Sequence, residues 1–180
     1  MVMKDLTIRE AFDDEYNRVR KFYHDLIDAM SEAKYHPMWE KNIYPTDDYL
    51  QESIKKQTLF IGEINDSIVG AMVINHDYNE SYEDVSWTWT IQARNNEISV
   101  IHILCVHPNW GKQGIGRLLV QWAIDYAKNQ QQKAVRLDVL KGNLPAERLY
   151  LSVGFKYIDT ISMYYDDTGW TDFELYEYII

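Results

Sequence analysis

Cysteine is almost missing from this chain: Cys105 stands alone among 180 residues. An intrachain disulfide is thereby excluded, and a reducing compartment is the natural setting. Long apolar runs are missing too. No stretch approaches the roughly 18 consecutive apolar residues of a membrane-spanning helix, and the opening MVMKDLTIRE has no apolar core of the secretory-signal type. A soluble, cytoplasmic protein with no membrane partner is expected. Basic residues are scarce: 18 Lys and Arg against 28 Asp and Glu give a net charge of −10. Such a balance argues against unspecific binding to nucleic acid or anionic membranes and mildly favours a cationic substrate. There are no repeats, low-complexity tracts or obvious linkers, so residues 1–180 read as one domain. At 46% hydrophobic residues, the chain is able to build a proper core.

Periodicity outlines a mixed α/β chain. Leu6, Ile8 and Phe12 suggest a first strand, and Asp13 or Asp14 a helix cap. Tyr16, Val19, Phe22, Tyr23, Leu26, Ile27 and Met30 follow a helical period. An aromatic loop, 35–45, precedes a short helix capped at Thr46-Asp47-Asp48 and running to about Lys56. TLFIGEI (58–64) and IVGAMVIN (68–75) flank Asn65-Asp66-Ser67 as a hairpin. The segment from Tyr78 to Asn96, with Trp87 and Trp89 alternating, reads as a loop with room for an extra strand. Glu97 to Val106 is a strand. Gly114 to about Gln131 is a helix offering Leu118, Leu119, Trp122, Ile124 and Tyr126 for packing. Ala134 to Leu140 is a strand, and Asn143 to Ser152 a short helix opened by Asn143 and Pro145 and stopped at Gly154. Phe155 to Met163 and Asp172 to Ile179 close the chain as strands.

The most informative stretch runs from Val100 to Ile124: an apolar strand, His107-Pro108, glycines at 111, 114 and 116, then a helix. A glycine-rich turn feeding a helix N-terminus presents bare N–H groups and a positive dipole end to an anion. The order G-x-x-G-x-G does not match the dinucleotide fingerprint G-x-G-x-x-G. Arg117 follows Gly116 where a Walker A loop needs Lys. A plain glycine-rich turn remains the alternative.

Val106-x-Pro108 followed by G-x-G at a helix start resembles the acetyl-CoA motif of the GCN5-related N-acetyltransferase (GNAT) superfamily, small bacterial type. The common form there is Q/R-x-x-G-x-G/A, and Gly111 departs from it. Asn143 through Tyr150 and Val153-Gly154-Phe155 are similar to the same family's N-x-x-A-x-x-L/F-Y…GF segment. The resemblance implies a mixed, mostly antiparallel central sheet flanked by helices. It implies transfer of acetyl from acetyl-CoA to a primary amine of a small molecule or peptide, by direct attack in a ternary complex and without a metal. It places the cofactor on Leu104, Cys105 and Val106, where the strand bulges, on Gly111, Lys112, Gln113, Gly114, Ile115, Gly116 and Arg117, and on Asn143. Members often dimerise, so a homodimer is one implied assembly. A non-catalytic acyl-CoA sensor of the same fold is the second reading.

Acetyl transfer needs a neutral amine, a donor for the developing oxyanion, and a proton for the leaving sulfur. The implied acid is Tyr150, since a phenol and a thiol are close in pKa. The base candidates are His102, whose neutral imidazole suits the task, and then Glu97. A histidine at the position of His102 also resembles one in the amine site of arylalkylamine N-acetyltransferase. Strict strand alternation would put Cys105 and His107 on one face and His102 on the other, which argues against a zinc site; Cys105 reads as core. The acceptor should meet Tyr35, Trp39 and Tyr44, with Asp166, Asp167 and Asp172 attracting an amine.

Overall fold

The computed structural model describes residues 6–88 and 94–180. The element order is β1 (Thr7–Glu10), α1 (Tyr16–Met30), α2 (Asp47–Lys55), β2 (Leu59–Ile64), β3 (Ser67–Asn75), β4 (Ile98–Val106), α3 (Ile115–Asn129), β5 (Ala134–Leu140), α4 (Leu144–Val153), β6 (Lys156–Tyr165) and β7 (Gly169–Ile179). The strands form one sheet in the order β1-β2-β3-β4-β5-β7-β6. All its pairs are antiparallel except β4 with β5, which the α3 crossover makes parallel.

Alternation along the strands builds two cores. Phe60, Met72, Ile101, Leu137 and Val139 pack under α3 and α4 around Leu119 and Ile124. Leu59, Ile61, Val73, Ile103 and Cys105 face α1 and α2, meeting Val19, Leu26, Leu50 and Ile54. The β2–β3 turn forms because Asn65 and Asp66 both take positive φ (48° and 61°), the conformation that suits a tight hairpin. Helix α2 starts at Thr46, whose Oγ1 accepts from the Tyr49 N–H at 3.0 Å.

Several element edges differ from expectation. Phe12 lies outside β1 and is exposed, and the Phe12 N–H donates to Glu15 Oε2 at 2.8 Å. Asp13 and Asp14 belong to a 3-10 turn ahead of α1 instead of capping it. Ile27 is only partly buried and Leu118 is exposed, because α3 turns it outward. Trp89, and with it part of the proposed extra strand, lies outside the described residues. The described remainder of that segment holds two 3-10 turns, Glu80–Asp84 and Asn95–Glu97, and Trp87 is buried. No described helix is long and apolar enough to cross a membrane.

Candidate active site

Two features of β4 open the sheet at its centre. Ile103 sits at φ 45°, and the register with β3 slips there: His102 opposes Val73, yet Cys105 opposes Ala71. This is a β-bulge, with one extra residue on β4. β4 and β5 have already separated there, since their pairing is confined to Ile98–Val100 and Ala134–Arg136. The His107 N–H donates to Val69 C=O at 3.0 Å. Alternation of N–H direction along a strand therefore turns the Val106 and Leu104 N–H groups away from β3, toward the gap. Tyr23 of α1 supports the bulge from below, its hydroxyl donating to Ile103 C=O at 3.2 Å.

The bulge corrects the alternation argument: His102 and Cys105 lie on the same face of the sheet, because one extra residue intervenes. Their surroundings still differ. Cys105 is buried, and burial pushes its thiol up to about 12, so it is no thiolate nucleophile. His102 faces a cavity.

A groove of about 330 Å³ runs along the gap, lined by Leu104, Cys105, Val106, Gly111, Lys112, Gly114, Ile115, Gly116 and Asn143. Gly114 takes φ 83° just before α3, where a side chain would be strained. At Gly116 a Cβ would lie 3.2 Å from Leu149 Cδ2, so glycine lets α3 approach α4 closely. The first α3 bond is Leu118 N–H to Gly114 C=O, 3.1 Å. The N–H groups of Ile115, Gly116 and Arg117 thus have no intrahelical acceptor. The Arg117 side chain is committed elsewhere: Nη1 reaches Ser152 Oγ at 3.1 Å. Gln113 is exposed and does not line the groove, so its part in holding a ligand is not supported by its position. Tyr35 lines this groove instead of the acceptor side where it was expected.

A second cavity of about 120 Å³ lies on the α1/α2 face, lined by His102, Trp39, Tyr44, Asp138, Tyr165 and Asp167 among others. Trp39, Leu104, Asn143 and Tyr150 line both spaces, so the junction is where reactants held in each would meet. Asn143 makes no side-chain cap to α4. The Tyr150 hydroxyl has no partner among the described residues, and it is not among their unpartnered buried atoms, so it opens onto the junction. Burial raises the Tyr150 phenol above its usual value and keeps it protonated at neutral pH.

His102 Nε2 lies 2.8 Å from Asn75 Oδ1 and 3.0 Å from Asp77 C=O. The Asp77 N–H donates to that same Asn75 oxygen at 2.9 Å, which fixes the amide orientation. Two acceptors at Nε2 place the proton there and leave Nδ1 with the lone pair. Burial lowers the His102 pKa, against the opposing charge of Asp138, and favours the neutral ring.

The other candidates fall outside. Glu97 sits in a 3-10 turn before β4, where its Oε2 accepts the Arg94 N–H at 2.8 Å. Five residues of strand put it about 16 Å from His102, so it is no base for this site. Asp172 pairs with Lys141 at 3.0 Å on the surface, and Asp166 is exposed. Asp167 alone of that trio lines the cavity. The carboxylate missed in the sequence is Asp138, whose Oδ2 accepts from Tyr82 (2.8 Å) and Tyr165 (3.1 Å). Burial raises its pKa while Tyr82 and His102 oppose the rise.

The sequence matches the model of the acetyltransferase (GNAT) family over residues 19–155. The chain belongs to the GNAT family. It is 32% identical over 97 residues to an uncharacterized N-acetyltransferase of Methanocaldococcus jannaschii, covering 54% of this chain and 38% of that one; it thus spans under two-fifths of that relative. A GNAT-family acetyltransferase from Streptococcus agalactiae superposes with a TM-score of 0.77 at 14% identity, over 97% of this chain and 95% of that one. The yncA protein of Salmonella typhimurium, solved with its cofactor acetyl-CoA, gives 0.69 at 18% identity, over 98% and 94%. At these identities the likeness is one of fold. The GNAT match contains the whole glycine loop and the junction residues Trp39, Leu104, Asn143 and Tyr150. It ends at Phe155, before the β6–β7 hairpin that gives the second cavity Tyr165, Asp167 and Phe173.

Proposed function

We propose that the protein is an acetyl-CoA-dependent N-acetyltransferase acting on a primary amine of a small molecule or peptide, by direct attack in a ternary complex. The observation that carries this reading is the junction: Tyr150 and Asn143 border both the glycine-loop groove and the acidic, aromatic cavity. The groove suits a narrow, amide-bearing thioester. It offers strand N–H groups turned into a gap, an Asn143 amide that does not cap α4, and a helix start with Lys112 beside it for phosphate. Acetyl-CoA, when bound, supplies the activated acetyl group.

The chain's own residues would do the rest. Leu104 and Val106 N–H groups are the donors available to a carbonyl oxygen in the gap; one preorganised donor of this kind is worth roughly 3 kcal/mol. Tyr150, kept protonated by burial, would give its proton to the leaving sulfur. His102, neutral and with its Nε2 proton committed to Asn75 and Asp77, has Nδ1 available to take the ammonium proton. Cytoplasmic location and homodimer formation are part of the same proposal. Thiol release from acetyl-CoA with a panel of amines tests it, alongside melting with and without acetyl-CoA. Amine-dependent thiol release and a raised melting temperature are expected. No shift at millimolar acetyl-CoA would overturn the cofactor assignment, and a shift without turnover on any amine would make the protein a binding module.

A further inference from the structure

Asp138 is a carboxylate inside an apolar strand. Leu137 and Val139 on either side of it are buried in the core under α3 and α4, so alternation turns Asp138 to the opposite face, into the 120 Å³ cavity. Both phenol donors, Tyr82 and Tyr165, go to Oδ2. Oδ1 has no protein partner among the described residues. Nor is it among their buried unpartnered atoms, of which Gln132 Oε1 is the one found. Oδ1 therefore meets the open space of the cavity. Asp167 adds a second carboxylate, and among the described residues no lysine or arginine lines the walls. A carboxylate withdrawn from water without a cation nearby is costly, so the matching positive charge is to be sought in a ligand.

The remaining walls say what surrounds that charge. Trp39, Tyr44, Tyr165 and Phe173 supply aromatic faces, which attract a cation and pack against a short apolar body. The space is small, about 120 Å³; an engineered cavity of about 150 Å³ holds benzene. A peptide N-terminus would also have to leave its first peptide groups among these rings with few hydrogen-bond partners.

Resting on the acetyltransferase reading above, we propose that Asp138 is the specificity-determining residue of this cavity and that the acceptor is a compact primary amine. Its ammonium sits on Oδ1, and its short apolar body lies against Trp39, Tyr44 and Phe173. His102, on the same wall system, then has its free Nδ1 available for the proton that the ammonium must lose before attack. The hairpin carrying Tyr165, Asp167 and Phe173 lies outside the segment matched to the family, while Trp39, Tyr44, His102 and Asp138 lie within it.

Calorimetric titration of the protein, with and without CoA, tests this using n-butylamine, n-butanol and trialanine. Butylamine should bind at least roughly tenfold more tightly than the uncharged butanol, the scale of one charge-assisted hydrogen bond. Asp138→Asn should bring butylamine to the level of butanol while CoA affinity stays within about twofold. Equal binding of amine and alcohol, unchanged amine affinity in Asp138→Asn, or tighter binding of trialanine than butylamine would each overturn the proposal. Should Asp138→Asn fail to fold, the amine–alcohol contrast on the unaltered protein decides. Thiol release from acetyl-CoA with any amine tests the acetyltransferase reading separately, so failure of that reading is distinguishable from failure of the Asp138 assignment.

Discussion

A left-handed isoleucine in the middle of a strand makes a quantitative demand. Ile103 has φ 45°, a conformation costing an L-residue about 1–2 kcal/mol that glycine escapes. Ile101, two residues earlier, is an internal control: the two are 5% and 6% exposed, and only Ile103 has positive φ. At Ile101 the alanine variant should exceed the glycine variant by about 1.5 kcal/mol. That gap combines about 0.5–1 from backbone entropy with about 0.8 from one buried methyl. At Ile103 the left-handed cost subtracts about 1–2 kcal/mol, so Ile103→Ala and Ile103→Gly should be nearly equal in stability. All four variants share the loss of a buried isoleucine, about 2–5 kcal/mol, and it cancels in the comparison. Urea unfolding of the four reads the two gaps directly. In melting temperature they should be about 3–6 °C at position 101 and within about 2 °C at position 103. Equal gaps at the two positions would refute the bulge.

Tyr150→Phe should lower turnover on amines by at least about a hundredfold, the low end for a general acid, with acetyl-CoA affinity held within about twofold; unchanged turnover would remove the hydroxyl from the chemistry. Gly70→Ala should destabilise by about 1–3 kcal/mol and weaken acetyl-CoA binding, because the new Cβ would sit 2.9 Å from Cys105 O and push on β4 beside the gap; chemical denaturation and calorimetry read the two effects. Glu15 bridges Arg9 and Arg18, each at 2.7 Å, and its carboxyl is held down to about 2, first by the Arg9 hydrogen bond. A depressed carboxyl contributes stability that is present above its unfolded value and lost as pH falls toward 2. The shift has a ceiling of about 3 kcal/mol, and solvent screening of the partly exposed arginines reduces it to about 1–2. The stability gap between the protein and Glu15→Gln should therefore be present at neutral pH and close as pH approaches 2; a gap independent of pH would count against it.

What the sequence reveals here depends on how local the cause is. The β2–β3 hairpin is legible because Asn65-Asp66 is itself the turn, and α3 because its start is a glycine and its buried face is periodic. The glycine loop and the Asn143–Tyr150 segment are legible because ligand-facing backbone demands particular residues at particular spacings. The bulge is not. No glycine marks it, and an isoleucine is the last residue one would place at positive φ. Asp138 is hidden for a different reason. An aspartate in AVRLDVL is visible, but its partners Tyr82 and Tyr165 are 56 and 27 residues away, and only the folded chain brings them together. Tyr35 lines the other space from Tyr44, because an aromatic loop does not declare which of two adjoining spaces each ring lines.

The bulge is also what joins the two halves of the site. With unbroken alternation, Cys105 and Ile103 facing α1 would send His102 toward α3, into the core with Leu104. The extra residue lets His102 join Val73 on the α1/α2 face, beside Asp138, while Leu104 still points into the groove side. One backbone irregularity thus sends the imidazole to the amine cavity and leaves Leu104 and Val106 N–H groups toward the thioester gap. It persists because the surroundings hold it: the Tyr23 hydroxyl, from a helix 80 residues earlier, bonds the Ile103 carbonyl, and Ile103 itself is buried with Cys105 against α1. Strain of about 1–3 kcal/mol at such a residue is tolerable where the packing over-determines it. The irregularity that costs stability is thus the one that brings His102 to the amine cavity, and the proposed chemistry depends on it.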